Sequence, residues 1–274
     1  MKTTSTLTKT FTAHLQAIIC ASALLCLFST HSLFAQNFPE KSISRELPGV
    51  EFITITMDPV HWNLTHVNAN YRVALDYFPD LDSIKGPRPH RLDVRVAPHF
   101  NEMYDAALAD GVHLITSSSF RSVGHQDTLL NNSALRSMRQ DSLLTIEEAL
   151  LKASHSTMFP GGSEHNLGLC VDFYTEREEG EVRGFDSTPQ YAWLMVHAAD
   201  YGFTLRYPED KTEITGIIFE PWHWRYVGVE VAKDLKEKEI CLEEYLGKRY
   251  LTPQDIQELK DQGISVEDYL RKQL

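Results

Sequence analysis

Two polar segments, far apart in the chain, constrain the fold more than any other feature. The first reads Gly161-Gly-Ser163-Glu-His165-Asn-Leu-Gly168-Leu-Cys-Val-Asp172, and the second Glu220-Pro-Trp-His223-Trp-Arg225-Tyr. His165, Asp172 and His223 offer two imidazoles and one carboxylate, a donor set that suits Zn²⁺, and three protein ligands leave a fourth tetrahedral position for water. Such a set works only where the fold brings both segments to one point. His165 and Asp172 differ by an odd number, so one continuous strand would send them to opposite faces. Gly168 between them permits a turn. Glu220 and His223 would likewise diverge on a regular strand, and Pro221 interrupts it.

Glu220 is then the candidate general base. Zinc lowers the pKa of a bound water towards about 7, and a neighbouring carboxylate can accept its proton as it attacks a carbonyl. The expectation is one Zn²⁺ per chain, held by His165, Asp172 and His223. The remaining histidines outside the first 35 residues (His61, His66, His90, His99, His113, His125, His155 and His197) are read as surface or packing residues.

The chain of 274 residues carries a net charge of −12 and 42% hydrophobic residues. A sizeable core can form. The acidity argues against nucleic acid as a partner, since affinity for phosphates comes largely from Lys and Arg. Residues 1–35 read as a secretory signal: Lys2 and Lys9 are its only charges, and an apolar run from Leu15 to Phe28 follows. The run is short for the roughly 20 residues of a spanning helix. The expectation is an exported, periplasmic or envelope-associated protein with no stable membrane insertion once the signal is cleaved; an uncleaved anchor is the alternative. Beyond the signal only Cys170 and Cys241 remain, and whether they pair is open.

The fold expected is α+β, a small antiparallel sheet flanked by helices with a helical C-terminal tail. A lead-in covers 36–57, a catalytic domain 58–246, and the tail 247–274. Strand-and-turn structure is expected over 58–75 and an exposed loop over 79–91, where Pro, Asp and Arg dominate. A helix begins near Pro98 and stops at Gly111. A strand follows at 112–118, helices at roughly 123–140 and 145–155, and a strand at 169–173. Thr188-Pro189 opens a helix that Gly202 ends, and strands lie near 203–207 and 214–219. After Gly228 the pattern is helical, with Thr252-Pro253 and Ser265 restarting short helices.

At these residues the sequence resembles the VanY-type D-alanyl-D-alanine carboxypeptidases, within the metallopeptidase group that includes lysostaphin-like enzymes and the hedgehog signalling domain. The resemblance rests on Ser118-Ser-Phe-Arg121-Ser122, Pro160 through Asp172, Gly202-Phe-Thr-Leu-Arg206-Tyr-Pro208 and Glu220 through Gly228. These occur in family order and span roughly residues 60–246. The resemblance implies His165, Asp172 and His223 as zinc ligands and Glu220 as the base. It also implies that Arg121 binds the substrate's terminal carboxylate, which suits a planar guanidinium, and that Ser163 and Gln126 line the same pocket. Arg206 and Arg225 match too and are read as framework. Ser119-Phe120 replaces the family's Gly-Tyr, and Cys170 stands where a small residue, often alanine, is common.

The function this implies is removal of the terminal D-alanine from peptidoglycan stem peptides by metal-activated water. The alternatives are an L,D-carboxypeptidase or dipeptidase on muropeptides, or a non-catalytic zinc-stabilised binding module.

Overall fold

The computed structural model describes residues 49–174 and 184–274. The expected signal over 1–35 and most of the lead-in therefore lie outside the described residues. Among the described residues no helix is long and apolar enough to cross a membrane.

The chain enters through β1 (Ile53–Ile55), which pairs in parallel with β2 (Tyr71–Val73). Strands β3 (Leu81–Ile84) and β4 (His90–Asp93) form an antiparallel hairpin. This corrects the loop expected over 79–91. Asp82, Ser83 and Arg91 face solvent, whereas Ile84 and Leu92 are buried. One apolar contact per short strand gives too weak an alternation to outweigh the proline and charge around it.

Helix α1 (Ala97–Ala109) buries Phe100, Met103 and Ala107, three of the four apolar positions its periodicity marks, and leaves the fourth, Leu108, exposed. After β5 (Thr116–Ser118) come α2 (Val123–Gln140) and α3 (Ile146–Ser154). Ser122 caps α2 by accepting from the His125 amide, and Thr145 and Glu148 close a reciprocal capping box on α3. Strand β6 (Cys170–Phe173), α4 (Pro189–His197) and β7 (Phe203–Leu205) follow, then a single turn α5 (Thr212–Thr215) and β8 (His223–Tyr226). The strand expected near 214–219 is thus a helical turn, ended by Gly216 at φ 75°. Its Ile and Thr content suggested a strand, but the left-handed glycine forbids continuous extension. The C-terminal part is helical: α6 (Val229–Lys238), α7 (Leu242–Leu246), α8 (Pro253–Asp261) and α9 (Val266–Lys272).

The central sheet runs β5-β6-β8-β7, every pair antiparallel. With α1 and its neighbouring helices it gives the α+β architecture expected. One face of β6 carries Val171 and Phe173 into the main core, where Phe173 stacks between Phe100 and Phe185. Each such side chain, once buried, stabilises the fold by roughly 1.5–3 kcal/mol. The opposite face carries Cys170 and Asp172. The tail joins the same core: Leu251, Ile256, Val266 and Leu270 are buried with Ile53 and Tyr71.

Candidate metal centre and substrate cavity

Pairing of β6 with β8 sets the centre. Asp172 lies directly opposite His223, and Val171 opposite Trp224. Cross-strand partners share a face, so Asp172 and His223 leave the sheet together while Val171 and Trp224 enter the core. His165 comes from a 3₁₀ turn (Glu164–Leu167) just before β6, closed by Gly168 at φ 70°. That left-handed residue reverses the chain and brings His165 onto the face of Asp172. The turn at Pro221-Trp222 does the same for Glu220: the His223 amide donates to the Glu220 carbonyl at 3.1 Å, folding the pair side by side.

The distances are those of a cluster. His165 Nε2 lies 3.1 Å from Asp172 Oδ2, and His223 Nδ1 lies 2.9 Å from Asp172 Oδ1. The two imidazoles stand perpendicular with centroids 5.0 Å apart. Glu220 Oε2 is 3.8 Å from His223 Nδ1. The other ring nitrogens are already committed. His165 Nδ1 donates to the Ser119 carbonyl at 2.6 Å, and His223 Nε2 sits 3.3 Å from Glu164 Oε2. A ligating histidine is held in this way through its second nitrogen, which leaves Nε2 of His165 and Nδ1 of His223 to face a cation.

The residues fit a divalent cation. Asp172 Oδ1 is buried without a hydrogen bond of acceptable geometry, among two imidazoles and a second carboxylate. Burial alone would lower His165, yet Asp172 raises it to about 9. His223 is likewise lifted well above its ordinary value: burial opposes the shift, and the Cys170 thiol and Asp172 carboxylate overcome it. Asp172 is held far below the carboxylate range by the two histidines despite its burial. Burial pushes Glu220 up to about 8, with His223 offsetting part of the rise. Paired groups pushed apart in this manner are typical of sites that bind ions or move protons.

A cavity of about 350 Å³ opens beside the cluster, lined by all seven residues singled out in the sequence: Arg121, Gln126, Ser163, His165, Asp172, Glu220 and His223. Arg121 and Gln126 are tied together, Nη1 donating to Oε1 at 2.7 Å, and Nη2 donates to Ser118 Oγ at 3.0 Å. Gln126 Nε2 in turn donates to the Met158 carbonyl. A larger groove of about 450 Å³, between α4, α6 and β7, holds none of these residues.

Sequence reasoning missed four residues: Glu164, Glu243, Asn166 and Tyr207. Glu164 is fully buried: its Oε1 lies 2.7 Å from both Arg206 Nε and Arg225 Nη1, and its other oxygen faces His223. Burial would raise this carboxyl, but the two guanidinium groups keep it well below the usual range. Arg206 also grips Glu243 with both terminal nitrogens, and Glu243 meets His66 at 3.1 Å. Asn166 Nδ2 donates to the Arg121 carbonyl, and its Oδ1 accepts from the Gly161 amide, fastening the anchor loop to the ligand loop. Tyr207 packs a tilted ring 5.1 Å from His223. Glu164, Asn166 and Tyr207 lie inside the stretches that carry the family resemblance, Pro160 through Asp172 and Gly202 through Pro208, which is the signal that could have found them; Glu243 lies outside all four stretches.

The departures from the family pattern have local explanations. Ser119 turns its hydroxyl to the Arg91 amide and offers only its carbonyl to His165, while Phe120 packs edge-on against Phe78. Cys170 and Cys241 are both buried free thiols, so no disulfide links them.

The pattern of the VanY D-alanyl-D-alanine carboxypeptidase family matches residues 89–229. A D-alanyl-D-alanine carboxypeptidase of Enterococcus faecalis is 36% identical over 191 residues, 69% of this chain and 67% of that protein. The chain belongs to the VanY family. Solved structures of VanY-type enzymes superpose on it. A VanY D,D-pentapeptidase variant from a VanB-type resistance cassette, in complex with Zn(II), gives a TM-score of 0.59 at 36% identity, covering 68% of this chain and 99% of that one. The LD-carboxypeptidase LdcB gives 0.60 at 28% identity, covering 75% and 98%. This VanY-family chain is accordingly an enzyme of the carboxypeptidase type.

Proposed function

We propose that the chain is an exported zinc D,D-carboxypeptidase that releases the terminal D-alanine of peptidoglycan stem peptides. The observation carrying this reading is the convergence of two imidazoles and two carboxylates in the cavity that also presents the Arg121 guanidinium. His165 through Nε2, His223 through Nδ1 and Asp172 through its carboxylate would hold the ion. Zinc, when bound, supplies Lewis acidity to the scissile carbonyl and to the attacking water.

The chain's own residues do the rest. Arg121, kept in place by Gln126 and Ser118, pairs with the substrate's terminal carboxylate and sets the register of the penultimate peptide bond. Ser163, on the loop carrying His165, lines the same wall. Glu220 accepts the proton of the attacking water and passes it to the departing amine. A carboxyl whose pKa is raised by burial suits both acceptance and return. The Ser119 carbonyl and Glu164 orient the two imidazoles. Export is supported by the charge and hydropathy pattern of residues 1–35.

Defined muropeptides incubated with the purified chain and zinc, with products read by mass spectrometry, test the proposal. Pentapeptide should lose one D-alanine; pentapeptide left intact while tetrapeptide is shortened would overturn it in favour of the L,D reading, which the likeness to LdcB favours. Glu220→Ala should lower turnover about 10²–10⁴-fold with zinc content unchanged. Undiminished hydrolysis in that variant would remove Glu220 from the chemistry.

A further inference from the structure

We propose that Cys170 is a fourth protein donor of the metal centre, its thiolate joining His165, Asp172 and His223 on the same ion. The proposal rests on the zinc reading above and adds a ligand to it.

Strand geometry places the thiol there. Cys170 precedes Asp172 by two residues on β6, so both side chains leave the sheet on the same face. Its cross-strand partner is Arg225, two residues beyond His223 on the same face of β8. The Cys170 sulfur and one ring nitrogen from each of His165 and His223 lie within 4.8 Å of one another. The thiol is fully buried. A buried cysteine usually behaves as a small apolar residue among others. Cys170 instead faces two imidazoles, while its apolar neighbours Leu169 and Val171 turn to the other face and the core.

Sulfur, two nitrogens and a carboxylate oxygen are all ordinary zinc donors, and four of them complete a tetrahedron. On binding, the Cys170 S–H bond breaks, a metal–sulfur bond forms, and the proton leaves to solvent. With four protein donors the ion would keep no free tetrahedral position, so the water and substrate that the proposed hydrolysis needs would enter only if one donor gave way. Cys170 would thereby make the resting ion more tightly held and its first turnover dependent on ligand exchange.

Cobalt(II) substitution tests this without reference to activity. The full chain loaded with Co²⁺ should show an intense near-ultraviolet sulfur-to-cobalt charge-transfer band. Cys170→Ala should lose that band while still binding one Co²⁺ per chain, and Cys241→Ala should keep it. A cobalt-loaded wild type without the band, or a band unchanged in Cys170→Ala, overturns the proposal and leaves the zinc reading standing. Failure to take up cobalt or zinc at all overturns both. Zinc-edge X-ray absorption on the wild type gives a second measurement: one sulfur scatterer at about 2.3 Å is expected, and a shell of light atoms alone would exclude Cys170 even where the variant does not fold.

Discussion

Glu164 does two jobs with one carboxylate. It neutralises the buried Arg206 and Arg225, and it gives His223 a partner for the nitrogen turned away from the centre. The two roles separate experimentally. Removing one member of a buried charge cluster leaves the others unpaired, so Glu164→Gln should cost about 3–5 kcal/mol of stability, measured by denaturant titration of the metal-free chain. Loss of the His223 partner should independently weaken metal affinity about 10–100-fold, measured by competition with a chromophoric chelator. A variant with lowered stability but wild-type affinity would show that Glu164 acts on the arginines alone. His165 needs no such side chain, because a backbone carbonyl orients it.

At the scale of elements, the site depends on tight turns placed just before strands. The loop preceding β6 approaches the backbone of residues 68–73 closely: a Cβ on Gly162 would lie 2.4 Å from the Asn68 carbonyl oxygen. Backbone cannot yield as a side-chain tip can. Gly162→Ala should therefore destabilise the chain by about 1–3 kcal/mol and displace Ser163 and His165. Thermal unfolding together with zinc affinity checks this; an unchanged midpoint would mean that the loop can shift freely. The same reasoning explains which elements were legible. α1 follows apolar periodicity, and α2, α3 and α4 add side-chain N-caps, both local properties. The hairpin β3–β4 and the turn at Thr212–Thr215 do not, because one has a largely solvated face and the other is decided by Gly216.

Across the molecule, the C-terminal helices belong to the core that supports the sheet. Leu270 is buried, and the Tyr71 hydroxyl donates to its carbonyl at 3.4 Å. Leu270→Ala should cost about 2–5 kcal/mol in denaturant unfolding, although it lies in another element from any proposed ligand; a negligible change would mean the tail packs only loosely. The charge network reaching from His66 through Glu243 and Arg206 to Glu164 ties α7 to the centre. Burial would raise Glu243, but Arg206 and His66 hold it at about 2, below its ordinary 4.5. A carboxyl depressed on folding contributes stability above its unfolded pKa and loses it as pH falls through the folded value. Stability should thus decline as pH drops from about 4.5 towards 2. Urea midpoints across that range should fall less steeply in Glu243→Gln, and an identical slope would assign the acid sensitivity elsewhere.

The amino-acid sequence by itself determined the chemistry on offer: two histidines, an aspartate and a glutamate, an arginine for a carboxylate, and glycine and proline where the chain must turn. Those are properties of side chains and of local backbone freedom. Tertiary structure decided the rest. Only the β6–β8 register puts Asp172 opposite His223, only burial gives Glu164 its two arginines, and only the shared strand face turns Cys170 towards the imidazoles. Each depends on residues distant in the chain, whose meeting is fixed by strand pairing and core packing and not by local spacing.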